Sequence, residues 1–352
     1  MSLRSFLRSR LRRSVRFPWI APVTGRRFLT VRMDTTNRCN LRCSMCPMRL
    51  SDSDPGRTWH DMDQEVFDRI AREIFPVARS VTLSCGAEPL CNPSFGRHLE
   101  ALYRSDVPVR EMVTNGTLLG KEQAATLLAY PPTTVFVSVD GARERTHAAI
   151  RGGCSLGTVT ANLRRLVELR GRRKYPRICF STTIQEANLP ELGDIVDLAA
   201  EVGASAVCGV PLVAYEGLDR CDAVPDMGSS EVRAAVERAS ARAASLGLEF
   251  SVAGRGLRSP GESCPYLEGW VFIDPDGLVD PCPYWNIAEP LGDLRTSGFD
   301  SVWHGGAYER LRRSILSGHP GGNCARCPEL TGAEAGELHK LDIPGHPGGE
   351  RG

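Results

Sequence analysis

The sequence predicts an α/β protein built on a parallel sheet, and three observations carry that reading. From Phe28 onward, runs rich in β-branched and aromatic residues alternate with helical patterns. Every gap between runs is long enough for the crossover that parallel strands require. Polar and glycine-rich words fall just after the runs rather than before them. The strand runs cover residues 28–34, 80–85, 107–114, 133–140, 177–184 and 205–213. Helical patterns fill 63–78, 94–105, 121–128, 157–170, 190–202 and 230–246. Six such units make either an open sheet or an incomplete barrel, and periodicity alone leaves both open.

A chain of 352 residues with 43 basic and 42 acidic side chains accommodates one large domain and a small one, and its net charge of +1 gives no reason to expect nucleic acid. No apolar run approaches the length needed to cross a bilayer, and no secretory signal is present. Thirteen cysteines in such a chain point to metal or redox chemistry in a reducing, cytoplasmic compartment, and the odd count leaves at least one thiol unpaired. Residues 1–27 read as a basic amphipathic helix. Arg4, Arg8, Arg10, Arg12, Arg13 and Arg16 occur without an acid, while Leu3, Phe6, Leu7, Leu11 and Val15 keep helical spacing. Packing on its own domain is the commoner use of such a helix, and an anionic surface the alternative. Residues 331–352, rich in glycine, proline and charge, read as a disordered tail.

The first strand run leads directly into Cys39-Asn40-Leu41-Arg42-Cys43-Ser44-Met45-Cys46-Pro47, a C-x3-C-x2-C pattern. Three thiolates are one too few for a closed site, since structural zinc and 4Fe-4S clusters both take four ligands. One metal position is therefore left for something that is not protein, unless His60 or a distant cysteine completes a zinc site.

The triplet resembles the signature of the radical S-adenosylmethionine (SAM) superfamily. The resemblance implies that Cys39, Cys43 and Cys46 ligate a 4Fe-4S cluster whose open iron chelates SAM, and that the reduced cluster cleaves it to a 5'-deoxyadenosyl radical. It also implies a partial (β/α)6 TIM-like barrel with its chemistry at the carboxyl ends of the strands. Gly86-Ala87-Glu88-Pro89, closing the second strand run, is similar to the family's glycine-rich segment around the methionyl amino group, with Ala87 where the second glycine usually stands. Asn115 follows the third run. Ser138 and Asp140, at the fourth, resemble positions near the ribose, and Arg151 resembles the arginine that meets the cofactor's carboxylate. Thr183 and Asn188 face the adenosyl or substrate region on one reading. On the other they are a strand-end threonine and a helix cap.

A second set of cysteines follows the barrel: Cys264, Cys282, Cys324 and Cys327, with no cysteine beyond. Residues 271–279 read as a hairpin around Pro275-Asp276-Gly277, able to bring the cysteines at its ends together, and a helical pattern over 298–317 delivers the last pair. Four cysteines can close a site, with zinc or iron. The set resembles the twitch domain, a shortened SPASM auxiliary-cluster domain, most closely that of the butirosin-type aminocyclitol dehydrogenases. The chain thus divides into a barrel at 28–250 and an auxiliary iron-sulfur domain at 251–330.

Oxidation of a sugar or cyclitol alcohol in natural-product biosynthesis is the reaction this resemblance favours. A second 4Fe-4S cluster would accept the substrate's electron, and a flavodoxin or ferredoxin would reduce the first. An epimerase is the alternative, with Cys221 as the catalytic hydrogen donor on the loop after the sixth strand run. A peptide maturase is another, although only a short arginine helix precedes the first run. A zinc-binding scaffold is the non-enzymatic reading. Of the remaining cysteines, Cys179 and Cys208 lie inside strand runs and are expected in the core.

Overall fold

The computed structural model describes residues 27–48, 58–84, 86–212, 224–253, 264–283, 290–321, 324–325 and 327. The arginine-rich helix, Cys221 and the expected tail lie outside them. Among the described residues one sheet of ten strands organises the chain. Seven parallel strands follow in sequence order: β1 (Leu29–Met33), β2 (Ala78–Leu83), β3 (Val109–Thr114), β4 (Thr134–Ser138), β5 (Arg177–Ile184), β6 (Ala206–Pro211) and β7 (Glu249–Val252). Helices α1 (Gln64–Glu73), α2 (Phe95–Arg104), α3 (Lys121–Ala129), α4 (Glu144–Ile150), α5 (Leu156–Arg170), α6 (Leu192–Glu201) and α7 (Ser230–Leu246) connect them. β7 does not pair with β1, so the barrel stays open.

Each element follows from local chemistry. In β1 the side chains of Leu29, Val31 and Met33 are fully buried and Thr30 nearly so, as expected of a parallel strand covered on both faces. Helix α1 starts where the Asp63 carboxylate accepts the Glu65 N–H at 2.7 Å, and it buries Val66, Phe67 and Ile70. Helix α7 starts at a Ser229 cap and stops at Gly247, whose φ of 71° only glycine adopts freely.

The expected six strands are present, with corrections. A seventh, β7, follows the Gly247 turn, and four residues are too few to show a period. Helix α4 was not anticipated, because its seven residues are short and polar. The helical pattern at 298–317 is two helices, α9 (Phe299–Trp303) and α10 (Gly306–Leu316), separated by His304 and Gly305. A Cβ on Gly305 would lie 2.6 Å from the Ser301 carbonyl oxygen, so glycine permits the break.

The C-terminal segment adds α8 (Pro265–Gly269), β8 (Trp270–Ile273), β9 (Leu278–Asp280) and β10 (Gly292–Asp293) ahead of α9. The hairpin is as expected: Gly277, at φ 79°, donates its N–H to the Asp274 carbonyl at 3.0 Å and turns the chain. The sequence did not reveal that β8 pairs in parallel with β1, Thr30 opposite Trp270 and Met33 opposite Ile273. The sheet therefore runs β10-β9-β8-β1-β2-β3-β4-β5-β6-β7, with β1 in its interior. No described helix is long and apolar enough to cross a membrane.

One core contact sets a pH dependence. His98 on α2 is fully buried and stacks on Phe67 with ring centroids 4.0 Å apart, and neither ring nitrogen has a hydrogen-bond partner. Burial lowers its pKa from 6.5 to about 4. The folded state thus resists a proton that the unfolded chain accepts, so this contribution to stability is intact above pH 6.5 and lost as pH falls from 6.5 towards 4. The limiting slope is about 1.4 kcal/mol per pH unit. His147, lowered to about 4 by the same cause, adds in the same direction. His98→Phe keeps a ring against Phe67 and is expected to flatten, without abolishing, the fall in denaturation midpoint across that window. An unchanged slope would show that His98 takes its proton without penalty.

Candidate active site at the carboxyl ends of the strands

The cysteine loop has no sheet ladder of its own, so its polar groups must be satisfied from outside. Three strand ends do this. After β2, the Glu88 N–H donates to the Arg38 carbonyl at 3.0 Å, one residue before Cys39. After β3, the Asn115 amide donates to the Asn40 side chain at 2.9 Å, and Asn40 in turn donates to the Thr117 hydroxyl at 2.8 Å. After β4, the Ile150 carbonyl accepts from both the N–H and the hydroxyl of Ser44, at 2.9 and 3.2 Å. Gly152, at φ 62°, lies so close beneath the loop that a Cβ there would collide with the Arg42 carbonyl.

Each gripping word is anchored in turn. Glu88 is buried and accepts from the Thr114 hydroxyl and the Asn115 N–H, both at 2.7 Å, and from the Leu90 N–H at 3.2 Å. Burial nevertheless pushes its pKa up to about 7. Asp34, at the end of β1, accepts the Gly86 N–H at 3.1 Å and the Ala87 N–H at 3.5 Å. The bend that lets Ala87 stand in place of a second glycine falls on Ser84, whose φ is 72°, while its hydroxyl donates to the Ala87 carbonyl at 2.5 Å. Pro89 opens a short 3-10 turn. Neither Asp34 nor Ser84 stood out in the sequence as a site residue. Their only signal is a polar side chain at a strand end facing a glycine-rich loop.

Arg151 and Asp140 meet each other beside the cysteine loop. Asp140 is fully buried; it accepts from Arg151 Nε at 2.5 Å and from the Thr183 N–H at 2.6 Å. Arg151 also lies 3.9 Å from the Cys43 sulfur. Its guanidinium therefore joins an internal carboxylate to the cysteine loop. Burial opposes its charge, but Asp140 and the Cys43 thiol outweigh that and raise its pKa. Asn188 is internal as well, donating to the Asp140 and Thr183 carbonyls at 3.0 and 2.8 Å. The Asp140 N–H meets Nδ1 of buried His147 at 3.3 Å, a third residue the sequence did not single out. Ser138 ends β4 opposite Ser181.

Burial raises all three thiols of the triplet, that of Cys46 to about 11, and the Cys46 thiol feels both Cys43 and Cys39. Among the described residues no three ligating side chains are already closed around an ion position. The triplet nonetheless suits a cluster: three neighbouring thiols, with a guanidinium beside one of them to offset the charge that thiolates bring. His60 is held elsewhere, with Nδ1 3.1 Å from the Asn37 amide and Nε2 3.2 Å from Asp276. Two leftover cysteines flank the loop, Cys91 beside Cys39 and Cys154 beside Cys43, while Cys179 is buried in β5 and Cys208 half-buried in β6.

In the second set, the Cys324 thiol feels Cys327 and Cys264, and Cys282 lies within electrostatic reach of the Tyr308 hydroxyl. The polar atoms there are orphaned: the Tyr308 hydroxyl and Asp280 Oδ1 are buried without a partner. Buried polar groups are almost always hydrogen-bonded. Orphaned polar atoms within electrostatic reach of Cys282 fit a site completed by a non-protein group.

Comparison with known proteins agrees with this geometry. Residues 33–199 match the radical SAM superfamily and residues 264–328 an iron-sulfur cluster-binding domain of the SPASM type. The chain carries a radical SAM domain followed by a SPASM-type iron-sulfur cluster-binding domain. It is 27% identical over 304 residues to an AdoMet-dependent heme synthase of Methanosarcina barkeri, covering 79% of this chain and 83% of that one. It is 25% identical over 313 residues to the mycofactocin maturase MftC of Mycobacterium ulcerans, covering 85% and 80%. In fold it is similar to Streptococcus suis SuiB bound to S-adenosylmethionine, with a TM-score of 0.69 at 14% identity over 90% of this chain and 76% of SuiB. BtrN in complex with AdoMet and 2-DOIA shares the fold more distantly, with a TM-score of 0.50 at 13% identity over 86% and 91%. The superfamily implies a 4Fe-4S cluster and SAM, and the SPASM-type domain implies auxiliary iron-sulfur ligation.

The two glycines after α4 test how tightly the loop is gripped. Gly152→Ala adds a collision with the Arg42 carbonyl to the left-handed penalty of about 1–2 kcal/mol, and it is expected to lose most of the triplet's share of the iron bound on reconstitution, about half of the total. Gly153→Ala carries that penalty alone, because nothing lies within 4 Å of its Cβ position at φ 84°. Equal iron content in the two variants would remove Gly152 from the loop's support.

Proposed function

We propose that this radical SAM enzyme oxidises a cofactor-type or peptide-derived precursor. On this reading residues 28–250 hold the radical chemistry and residues 251–330 an acceptor for the second electron. The observation that carries it is the pairing of an incomplete cysteine triplet with a separate four-cysteine set. Three ligands leave a position for SAM, whereas four leave none, so the second site is suited to electron transfer rather than substrate chelation. When bound, the cluster and SAM together supply a 5'-deoxyadenosyl radical able to remove an unactivated hydrogen.

The chain's own residues orient and shield. Asp34 and Ser84 shape the Gly86–Ala87 backbone, Glu88 and Asn115 fix the first half of the cysteine loop, and the Asp140–Arg151 pair fixes the second. Gly86, Ala87, Glu88, Pro89, Asn115, Ser138, Asp140 and Arg151 remain the proposed SAM-binding set. Within it Arg151, Asp140 and Glu88 act through the loop's position. A small cytosolic electron donor such as a flavodoxin or ferredoxin completes the cycle.

The similarity to a heme synthase and a mycofactocin maturase favours a cofactor or peptide precursor over a sugar. Oxidation of a sugar or cyclitol alcohol is kept as a second reading because the four-cysteine set resembles the butirosin type. Epimerisation through Cys221 would require a thiol donor at the barrel mouth.

Anaerobic reconstitution is expected to load iron and sulfide at both sites and to yield 5'-deoxyadenosine from SAM. Replacing Cys39, Cys43 and Cys46 together with alanine should abolish that cleavage while about half of the iron remains, since each cluster holds its own set of ligands. Cleavage surviving in the triple variant would overturn the assignment. Substrate classes separate in the same assay. Peptide or tetrapyrrole precursors should raise deoxyadenosine formation and lose hydrogen. A response to aminocyclitols alone would select the second reading, and deuterium fixed from solvent would select epimerisation.

A further inference from the structure

The two faces of β1 meet different surroundings. Fully buried Val31 stands opposite Val81, and Val81 opposite Arg110, whose guanidinium lies 5.5 Å from the Tyr103 ring of α2. That face is the one the helices cover. Arg32 alternates to the other face, in one row with Phe272 of β8 on one side and with Thr82 of β2 and Glu111 of β3 on the other. Asp34, two residues further along, shares this inner face and holds the Gly86–Ala87 backbone. Arg32 thus lies about 6.6 Å along the strand from the level of Asp34, inside the open barrel.

Arg32 is half-buried, and its Nε is buried without a hydrogen-bond partner. Among the described residues it makes neither an ion pair nor a side-chain hydrogen bond. The acids on its face are engaged or set apart: Glu111 accepts the Thr82 hydroxyl at 2.9 Å, Asp34 accepts from Gly86 and Ala87, and Phe272 separates Asp280 from Arg32. What Arg32 does touch is aromatic. Its guanidinium lies 5.5 Å from the Trp270 ring centroid, and Trp270 stacks on Phe272 with centroids 6.3 Å apart and 13° between the planes. Tyr266 tilts against both rings at 5.5 and 6.4 Å, and all three rings are half-buried.

Stacking on an indole leaves the in-plane N–H groups of a guanidinium free, and their fork matches a carboxylate. We propose that Arg32 is the substrate-carboxylate site of this enzyme, with Trp270, Phe272 and Tyr266 as the wall against which the substrate's flat or apolar body rests. This deepens the proposed function and rests on its placement of the substrate in the barrel. Both precursor classes favoured there supply the group, a tetrapyrrole through its propionates and a peptide through its C-terminus. A neutral sugar lacks it, and a cationic aminocyclitol is repelled by Arg32.

The test uses the full-length reconstituted protein with SAM and measures binding by calorimetric titration, without turnover. The probes are iron coproporphyrin III and an N-acetylated pentapeptide ending in phenylalanine, each compared with its blocked form, the tetramethyl ester and the C-terminal amide. At least one free acid is expected to bind tenfold or more tightly than its blocked form, and the arm that shows this identifies the source of the carboxylate. Arg32→Met keeps most of the stem and should abolish that preference, so that acid and blocked form bind alike. Arg32→Lys, which keeps the charge but loses the fork, should retain part of it, whereas Trp270→Leu should weaken both forms by a similar factor. Absence of a carboxylate preference on both arms, or a preference that survives undiminished in Arg32→Met, would overturn the proposal. If Arg32→Met does not fold, Arg32→Gln takes its place under the same criterion. Failure of the wild-type protein to form 5'-deoxyadenosine from SAM would instead overturn the radical reading, since carboxylate binding is read independently of cleavage.

Discussion

A cysteine loop that ligates a cluster has to be held in place, yet it cannot be held by a sheet ladder, because its ligands have to face a common point. The structure resolves this by clamping the loop from three strand ends, through Arg38, Asn40 and Ser44. The deepest support is the ion pair between Asp140 and Arg151, with side-chain exposures of 0% and 13%. Removing one partner of such a pair leaves an uncompensated buried charge, typically about 3–5 kcal/mol of destabilisation. Here the same guanidinium also reaches Cys43, so stability and ligand placement share one group.

This arrangement changes how the conspicuous strand-end words are understood. Glu88, Asn115, Asp140 and Arg151 stand out in sequence because polar residues recur after β-rich runs. In the structure they bond mainly to one another and to the cysteine loop. The Gly86–Ala87 backbone is held in turn by Asp34. That backbone accommodates Ala87, since the positive φ falls on Ser84.

The parts legible in sequence were those encoded locally. The six long strands announce themselves by β-rich composition, the triplet by spacing, and the hairpin by Pro275-Asp276-Gly277. The parts that were not legible depend on long-range register. The pairing of Asp140 with Arg151 is settled by α4, which was too short and polar to anticipate. β7 has only four residues, and the parallel pairing of β8 with β1 joins segments more than two hundred residues apart. Nothing in Trp270-Val271-Phe272-Ile273 distinguishes a self-contained hairpin from one that docks on a sheet edge. The orphaned Tyr308 hydroxyl was equally invisible, because an amphipathic helix pattern does not reveal which polar atoms lack partners.

The β1–β8 pairing bears on how such a protein can be assembled and divided. β1 is the strand that launches the cysteine loop, and its outer hydrogen-bonding edge is covered only once the chain has been made through Ile273. Until then Leu29-Thr30-Val31-Arg32-Met33 presents an apolar edge of unpaired N–H and C=O groups, the kind of template that recruits other strands. During synthesis the radical domain is thus adhesive along the edge nearest its metal site, and the auxiliary segment acts as an intramolecular cap. The two cysteine sets are joined by a shared sheet as well as by a linker, so swapping auxiliary domains between relatives amounts to exchanging a strand of the catalytic sheet.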